Sequence, residues 1–415
     1  MLSVSIFFHF SHIERVMIIN LLNLLNKRKF VAFLVVFLVA IHCAAQPLSP
    51  EAKISLLICA PGDEIYSGFG HAAIRINDPL NERDTVFHYG GFDYTAPHFI
   101  WRFAKGETDY FIFAQRMASF MQEFYEEKRS VTEYVLDLAP AEKQFMYDLL
   151  KENYKPENRV YRYNHFLDNC STRLRDQIEK TVRGQIRYDT TGNEKLTFRN
   201  LIDRYIDGNT WIGLGIKLAL GHPTDRLTTY SEKMFLPDYL GNDMARAVVT
   251  RNGKEAPLVL SKAMIIQAPL PEREFSLTSP AFVLVFFFLL TLGITVWERR
   301  VNKRLICLDV TIFAAFGLAS LILYFTTFIS IMTWTKWNFN LAWAWPTHLV
   351  VAVLWLFPSL RPKLRWYMQL TSIALILFLI SMFSLPQTFH WLVVPICLIL
   401  LLRTGTYKNI GSIIP

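Results

Sequence analysis

The chain has 415 residues, 52% of them hydrophobic and 19% charged, with 33 phenylalanines, where a soluble domain carries about 25% charged residues. Its net charge of +8 is uneven: residues 1–45 carry +3, residues 46–279 carry −3 and residues 280–415 carry +8. These figures exclude a disordered, a collagen-like and a nucleic-acid-binding chain, and they tie the basic character to membrane topology, not to a polyanionic partner.

The N-terminus reads as an export signal. Lys27-Arg28-Lys29 is a charged region, Phe30 to Ile41 is an apolar run, and Cys43-Ala44-Ala45 supplies small residues before Gln46. That succession fits a signal peptide, and the run is short for a spanning helix. Residues 1–16 add nothing to the signal, so Met17 is a candidate start; His42 before Cys43 is a poor fit to a lipoprotein cleavage site. A signal peptide and an uncleaved N-terminal anchor over 1–45 both place the following residues outside the cytoplasm.

Residues 46–279 then read as an exported domain. Ile54–Cys59, Ala72–Ile76, Thr85–Tyr89 and Val131–Leu138 have the length and β-branched content of strands. Pro140–Tyr154 reads as a helix with Phe145, Met146, Leu149 and Leu150 on one face, and Arg159–Tyr163 as a further strand. Asp168 and Asn169 are cap residues for a helix running to about Arg183. Leu196–Asp243 reads as helical and aromatic, and its apolar run Trp211–Leu220 as a buried core helix or a segment lying against the membrane.

Residues 280–415 read as a membrane bundle. Pro280–Trp297, Leu305–Trp334, Leu341–Phe357, Trp366–Leu385 and, more briefly, Phe389–Leu402 are apolar, close to the ~20 residues that span a bilayer. The loops at 298–304 and 361–365 and the tail are basic, which makes them cytoplasmic and places residue 279 outside, in agreement with the signal. Trp334, Trp337, Trp343 and Trp345 cluster where an outer interfacial belt belongs.

For chemistry, the exported domain offers Cys59 and Cys170. A disulfide is the first expectation outside the cytoplasm. Cys59, however, ends an apolar strand, whereas Cys170 opens a helix with Arg173 and Arg175 in its first turns. Helix N-terminus and arginines lower a thiol's pKa, so a free Cys170 thiolate is expected. Such a nucleophile needs a base and an orienting group. The Gly-Phe-Gly turn at 68–70 delivers His71 onto a strand, and His88 lies on the next strand, where hairpin pairing would make it a neighbour. His98, His165 and His222 are expected to be structural. No C-x-x-C, H-E-x-x-H or G-x-S-x-G occurs, so neither a metal site nor a serine nucleophile is expected. Asn338, Asn340 and His348 lie near the outer face of the third apolar segment. Polar groups at that depth are often functional, which makes them candidates for substrate binding, beside simple interfacial solvation.

The runs Phe69-Gly-His-Ala-Ala-Ile-Arg-Ile76, Phe87-His-Tyr-Gly-Gly-Phe-Asp93 and Tyr163-Asn-His-Phe-Leu-Asp-Asn-Cys-Ser-Thr-Arg173, with Phe235-Leu-Pro237 and Trp337–His348, resemble the lipoprotein N-acyltransferase family of Bacteroidota. The resemblance covers nearly the whole chain after the signal. It implies an α+β, circularly permuted papain-like (NlpC/P60-like) periplasmic domain, followed by an all-α bundle of about five transmembrane helices in the bacterial inner membrane. It implies Cys170 as nucleophile, His71 as base and His88 as orienting residue. The reaction implied moves an acyl chain from a phospholipid to the α-amine of a lipoprotein's N-terminal diacylglyceryl-cysteine through a Cys170 thioester, at the lipid bilayer, with no metal, cofactor or nucleic acid. Two other classes stand beside it: a membrane-anchored cysteine peptidase or amidase using the same pair, and a non-catalytic envelope scaffold in which Cys59 and Cys170 are joined.

Overall fold

A computed structural model describes residues 46–64, 67–269, 276–405 and 412–414. The export signal, the alternative start at Met17 and Cys43 lie outside the described residues. In chain order the N-terminal part holds β1 (Lys53–Cys59), β2 (His71–Asp78), β3 (Arg83–Phe92), α1 (Phe99–Lys105), β4 (Asp109–Arg116), α2 (Met117–Glu126), β5 (Val131–Leu136), α3 (Pro140–Tyr154), β6 (Val160–Arg162) and α4 (Cys170–Thr181). Then come β7 (Gln185–Arg187), α5 (Phe198–Asp203), α6 (Trp211–Ala219), α7 (Pro237–Arg246), β8 (Val248–Arg251), β9 (Lys254–Pro257) and β10 (Val259–Ile266).

One seven-stranded sheet runs in the order β10-β5-β1-β2-β3-β4-β6, and β7, β8 and β9 form a second, small sheet. Strand β1 is an inner strand, paired antiparallel with β2 on one side and β5 on the other. Its sequence KISLLIC is buried from Ile54 onward because both faces are covered, so it reads as a continuous apolar run instead of an alternating one. On one face, Phe120 and Phe124 of α2 pack against Leu57, Cys59, Ala73 and Val86. The other face carries α7, whose Gly241 lies against Ile58 and Tyr134. Helix α3 starts with Pro140 in its first turn, and Glu142 accepts from the Ala139 N–H at 2.7 Å, a combination that fixes its start. Residues 46–52 and 78–82 form a small unit of their own, in which the Asp78 carboxylate accepts from Ser49 and Asn81.

The expected helical stretch Leu196–Asp243 is broken into α5, α6 and α7, with 3-10 turns at His222–Asp225 and Ser231–Phe235. Pro223 and Pro237 stand in the first turn of the elements they begin, where a missing N–H costs nothing.

The C-terminal part holds α8 (Pro280–Val301), α9 (Ile306–Tyr324) continued by a π-helical turn (Phe325–Ile329), α10 (Thr347–Leu354), α11 (Arg365–Ser381) and α12 (Val393–Gly405). Pro280–Val301, Ile306–Ile329 and Arg361–Ser381 are long and apolar enough to cross a membrane, and Val393–Gly405 is a shorter apolar helix. The third apolar segment, expected over Leu341–Phe357, is helical only over Thr347–Leu354. Before it the chain is held in a 3-10 turn, where Asn338 Oδ1 accepts from the Asn340 N–H at 3.0 Å. Against the expectation of about five transmembrane helices, the last of them short, the described residues hold three long helices and two short ones.

The bundle and the N-terminal part interlock. Leu214 of α6 is buried in the bundle's apolar core, while Trp211 and Ile212 stay exposed. Asn338 Nδ2 donates to the carbonyls of Leu218 and Ala219 at 2.7 and 3.1 Å, and Asn340 Nδ2 donates to Leu218 at 3.0 Å, satisfying the open C-terminal end of α6. Trp334 is not a belt residue: its ring packs against Phe166 and Phe198 at 4.5 and 4.9 Å, and its indole N–H donates to Asn164 at 3.1 Å. Trp343 is buried as well, whereas Trp337 is 77% exposed.

Candidate active site

Two chain segments about a hundred residues apart meet at the ends of β2 and β3. His71 is the first residue of β2 and pairs in register with Cys59 of β1. Gly70 before it has φ +83°, and a Cβ there would lie 2.6 Å from the Cys59 carbonyl, so the turn accepts only glycine. His88 sits on β3, 2% exposed, with its ring 3.6 Å from that of Phe113. His71 Nε2 and His88 Nδ1 are 2.9 Å apart. Gln115 Nε2 lies 3.4 Å from His88 Nε2 and donates to Glu123 at 3.1 Å.

Cys170 enters this corner at the first turn of α4. Asn169 is the N-cap: its Oδ1 accepts from Ser171 and Thr172 N–H at 3.0 and 2.9 Å, and the Thr172 hydroxyl accepts from the Asn169 N–H at 2.8 Å. Its Nδ2 donates to the carbonyls of His165 and Phe235 at 2.9 and 2.8 Å. One side chain thus caps the helix and ties it to the chain ahead of α7. Replacing Asn169 by Ala removes the cap, worth about 1–2 kcal/mol, and strands buried carbonyls at about 1–3 kcal/mol. The expected net loss is about 2–5 kcal/mol, measured as the shift in thermal unfolding of the detergent-solubilised chain. A shift within error of zero would show that Asn169 does not hold the helix.

Between the two segments lies Gly90, at a bulge in the β3–β4 pairing, with φ +105°. A Cβ at Gly90 would be 3.9 Å from both Cys170 Cβ and His71 Cε1, so its missing side chain is the space shared by thiol and imidazole. No direct hydrogen bond joins Cys170 Sγ to His71; the sulfur instead receives backbone N–H groups of Ala72, Ser171 and Cys170 itself, with Ser171 Oγ 3.9 Å away.

The electrostatics correct one expectation. Burial pushes the Cys170 thiol above its ordinary value, against the opposing backbone N–H groups. Arg173 and Arg175 do not help, because they are engaged elsewhere: Arg173 forms a two-pronged pair with Asp168 at 2.6 and 2.8 Å and stacks on Tyr161, and Arg175 binds Asp176 and the Ser231 carbonyl. Burial, reinforced by the nearby Arg129 guanidinium, lowers His71 to about 3. Burial and then His71 hold His88 well below its usual range. The resting pair is therefore a neutral thiol beside neutral imidazoles, and not the thiolate expected from the helix start alone.

Both Cys59 and Cys170 are free thiols, and Cys59 is a core residue facing α2, as its strand-end position implied. His165 is half-buried, desolvation lowers it to about 4, and its ring is edge-on to Tyr163. His98 starts α1 in a left-handed conformation, and His222 Nδ1 lies 2.7 Å from the Pro386 carbonyl. Asn338, Asn340 and His348 stand apart from the thiol. The two asparagines bind α6 as described, and Asn340 Oδ1 accepts from the Trp343 indole at 3.0 Å. His348 is fully buried with Tyr367 Oη at 2.7 Å from Nδ1 and the Trp343 carbonyl 3.2 Å from Nε2. Their polar side-chain atoms are engaged within the protein, the asparagines at the end of α6 and His348 between Tyr367 and the Trp343 carbonyl. Sequence reasoning missed Gly90, Ala72 and Asn169's double anchorage. A Gly-Gly pair inside a strand pattern was the one available signal, since glycine there marks a bulge or a close approach. Among the described residues no three His, Cys, Asp or Glu side chains cluster as metal ligands would.

Compared with known families, residues 46–204 match the family model of the Lnb N-terminal periplasmic domain, and residues 272–410 match that of the Lnb transmembrane domain. No curated protein and no solved structure matches the chain.

Proposed function

We propose that this chain, which belongs to the Lnb family, is a lipoprotein N-acyltransferase of the bacterial inner membrane, with residues 46–279 in the periplasm. It moves an acyl chain from a membrane phospholipid to the α-amine of a lipoprotein's N-terminal diacylglyceryl-cysteine. The observation that carries this reading is the meeting of Cys170 with His71 across Gly90, in a domain interlocked with apolar helices. The order of His strand before Cys helix, with the thiol in the helix's first turn, supports a permuted papain-like ancestry for the domain.

In the first half-reaction the Cys170 sulfur attacks the ester carbonyl of the phospholipid. His71, with Nε2–H donated to His88 Nδ1, takes the thiol proton on Nδ1 and delivers it to the departing alkoxide, so a thioester and a lysophospholipid form. His88 then carries its own proton on Nε2, and this tautomer requires the Gln115 amide to turn its oxygen to the ring in place of the Nε2 that lies 3.4 Å from it. In the second half-reaction the lipoprotein amine attacks the thioester, an amide forms, and the amine proton returns through His71 to the sulfur. The N–H groups of Ala72 and Cys170 are the donors for the tetrahedral oxyanion, each worth about 3 kcal/mol. Because His71 is neutral at rest, it accepts the proton without first losing one.

The test is expression in cells that lack lipoprotein N-acylation, followed by mass analysis of lipoprotein N-terminal peptides. Wild type adds one amide-linked acyl chain, and Cys170→Ser adds none. N-acylation by the Cys170→Ser protein, or peptides cleaved without gaining a chain, would overturn the reading, the latter in favour of a peptidase or amidase.

A further inference from the structure

Helix α1 is exposed in an unusual way for a water-soluble domain. Ile100 is 83% exposed and Trp101 55%, with Tyr94 open just ahead of them. Facing them is the end of α9 and its π-helical turn, where Ile322 and Phe328 are also open. The Trp101 and Phe325 rings meet edge to face at 5.1 Å. Between the two elements runs an apolar groove of about 1090 Å³. Its α9 wall belongs to a helix long and apolar enough to span a membrane, so the groove opens sideways into lipid. At its foot α1 is pinned to the bundle: Ile331 N–H donates to the Lys105 carbonyl at 2.8 Å, and a Cβ on Gly106 would meet Met332 at 2.9 Å.

Along the chain the groove's lining residues Ala104 and Ile329 neighbour Phe103 and Ile331, which line a second cavity of about 290 Å³ together with Tyr163 and Asp168. Asp168 is two residues before Cys170 and is tied to Asn164 by paired backbone hydrogen bonds of 3.0 Å. Arg162 lines that second cavity, and it shares the Asp109 carboxylate with Arg102, at 3.4 and 2.9 Å. Two guanidinium groups on one carboxylate leave an excess positive charge. An anionic phosphodiester complements it, and the ammonium of an acceptor lipoprotein does not.

We infer that the groove between α1 and the end of α9 holds an acyl chain of the donor phospholipid, with Arg102 and Arg162 at its phosphate. The inference rests on the acyl-transfer reading of Cys170. An apolar chain drawn from the bilayer keeps its surface out of water along the groove, and its ester end lies towards the second cavity, whose wall includes Asp168, two residues before Cys170.

The test is single-turnover acylation of Cys170 in the full-length, detergent-solubilised protein, with no lipoprotein present, using phosphatidylethanolamine donors of graded chain length. Ala104→Trp fills the groove from one wall and Ile322→Trp from the other. Each buried methylene is worth ~0.8 kcal/mol, a factor of about four. Excluding two of them lowers the ratio of long-chain to short-chain acylation rates about fifteenfold in either variant. An unchanged ratio in both variants would overturn the groove while leaving the acyltransferase reading intact. A defect confined to transfer from thioester to lipopeptide would assign the groove to the acceptor and overturn it as well. Failure of the wild type to form a Cys170 thioester with any donor would remove the functional reading, and the groove with it.

Discussion

His71→Gln lowers the rate of Cys170 acylation by about 10²–10⁴, the contribution of a positioned general base. Glutamine keeps a polar group near His88 and most of the ring's volume, so the loss reports proton transfer instead of packing. The pH profile sharpens the test. In the wild type His71 is deprotonated at all pH values above about 3, and burial keeps Cys170 a thiol to beyond its usual range. Neither group titrates between pH 5 and 8, and the wild-type acylation rate is flat there. Without the imidazole only the rare thiolate reacts, so the His71→Gln rate climbs tenfold per pH unit. Stability changes too. The unfolded His71 takes up a proton near 6.5 and the folded one near 3. Between these values the unfolded state binds more protons, so stability falls as pH falls, by at most about 1.4 kcal/mol per unit. That slope diminishes in His71→Gln. A variant with wild-type rate and a flat profile would remove His71 from the chemistry.

The largest stability loss is expected from Arg403→Met. Arg403 is fully buried and donates to Glu298 at 2.6 and 3.0 Å, to Asp309 at 2.8 and 3.2 Å and to Thr295 at 2.9 Å. Arg304 completes the group, with bonds to Asp309 at 2.7 and 2.8 Å and to the Arg403 carbonyl at 2.7 Å. Two cations balance two anions and join α8, α9 and α12. Methionine fills much of the space but leaves a buried negative charge uncompensated, a loss of about 3–5 kcal/mol. Thermal unfolding in detergent measures it. Arg403→Lys should recover only part, because an ammonium cannot reproduce the two-pronged geometry. An Arg403→Met protein as stable as wild type would show that the network is dispensable.

The parts of this architecture that were legible share a local cause. Helix α3 was anticipated from Pro140 to Tyr154, its observed bounds, because a proline start and an apolar face both lie within the segment. The start of α4 followed from Asn169 acting as a cap. Strand β4 and helix α2 were not anticipated, since Arg116 passes directly into Met117 with no glycine or proline between them. Strand β10 is an edge strand whose residues are mostly exposed, so it lacks the alternation that marks a half-buried strand. At the site, the residue types and their strands were legible, but the ionisation state of Cys170 was not. Desolvation comes from distant parts of the chain, and it outweighs the helix terminus. The bundle repeats the point: Arg304 and Arg403 counted as topological charges in the sequence, yet Arg304 is engaged by Asp309 and Arg403 by Glu298 and Asp309. Polar residues in an apolar stretch announced that Asn338 and Asn340 mattered, without saying that their partner would be a helix end more than a hundred residues earlier.

That helix end has a mechanical corollary. With the carbonyls of Leu218 and Ala219 clasped by the bundle, and Gly221 so close to the Lys336 carbonyl that no side chain would fit between them, α6 works as a bracket. The stand-off of the sulfur from the lipid surface is then a built-in dimension of the protein, independent of how much chain connects β10 to α8.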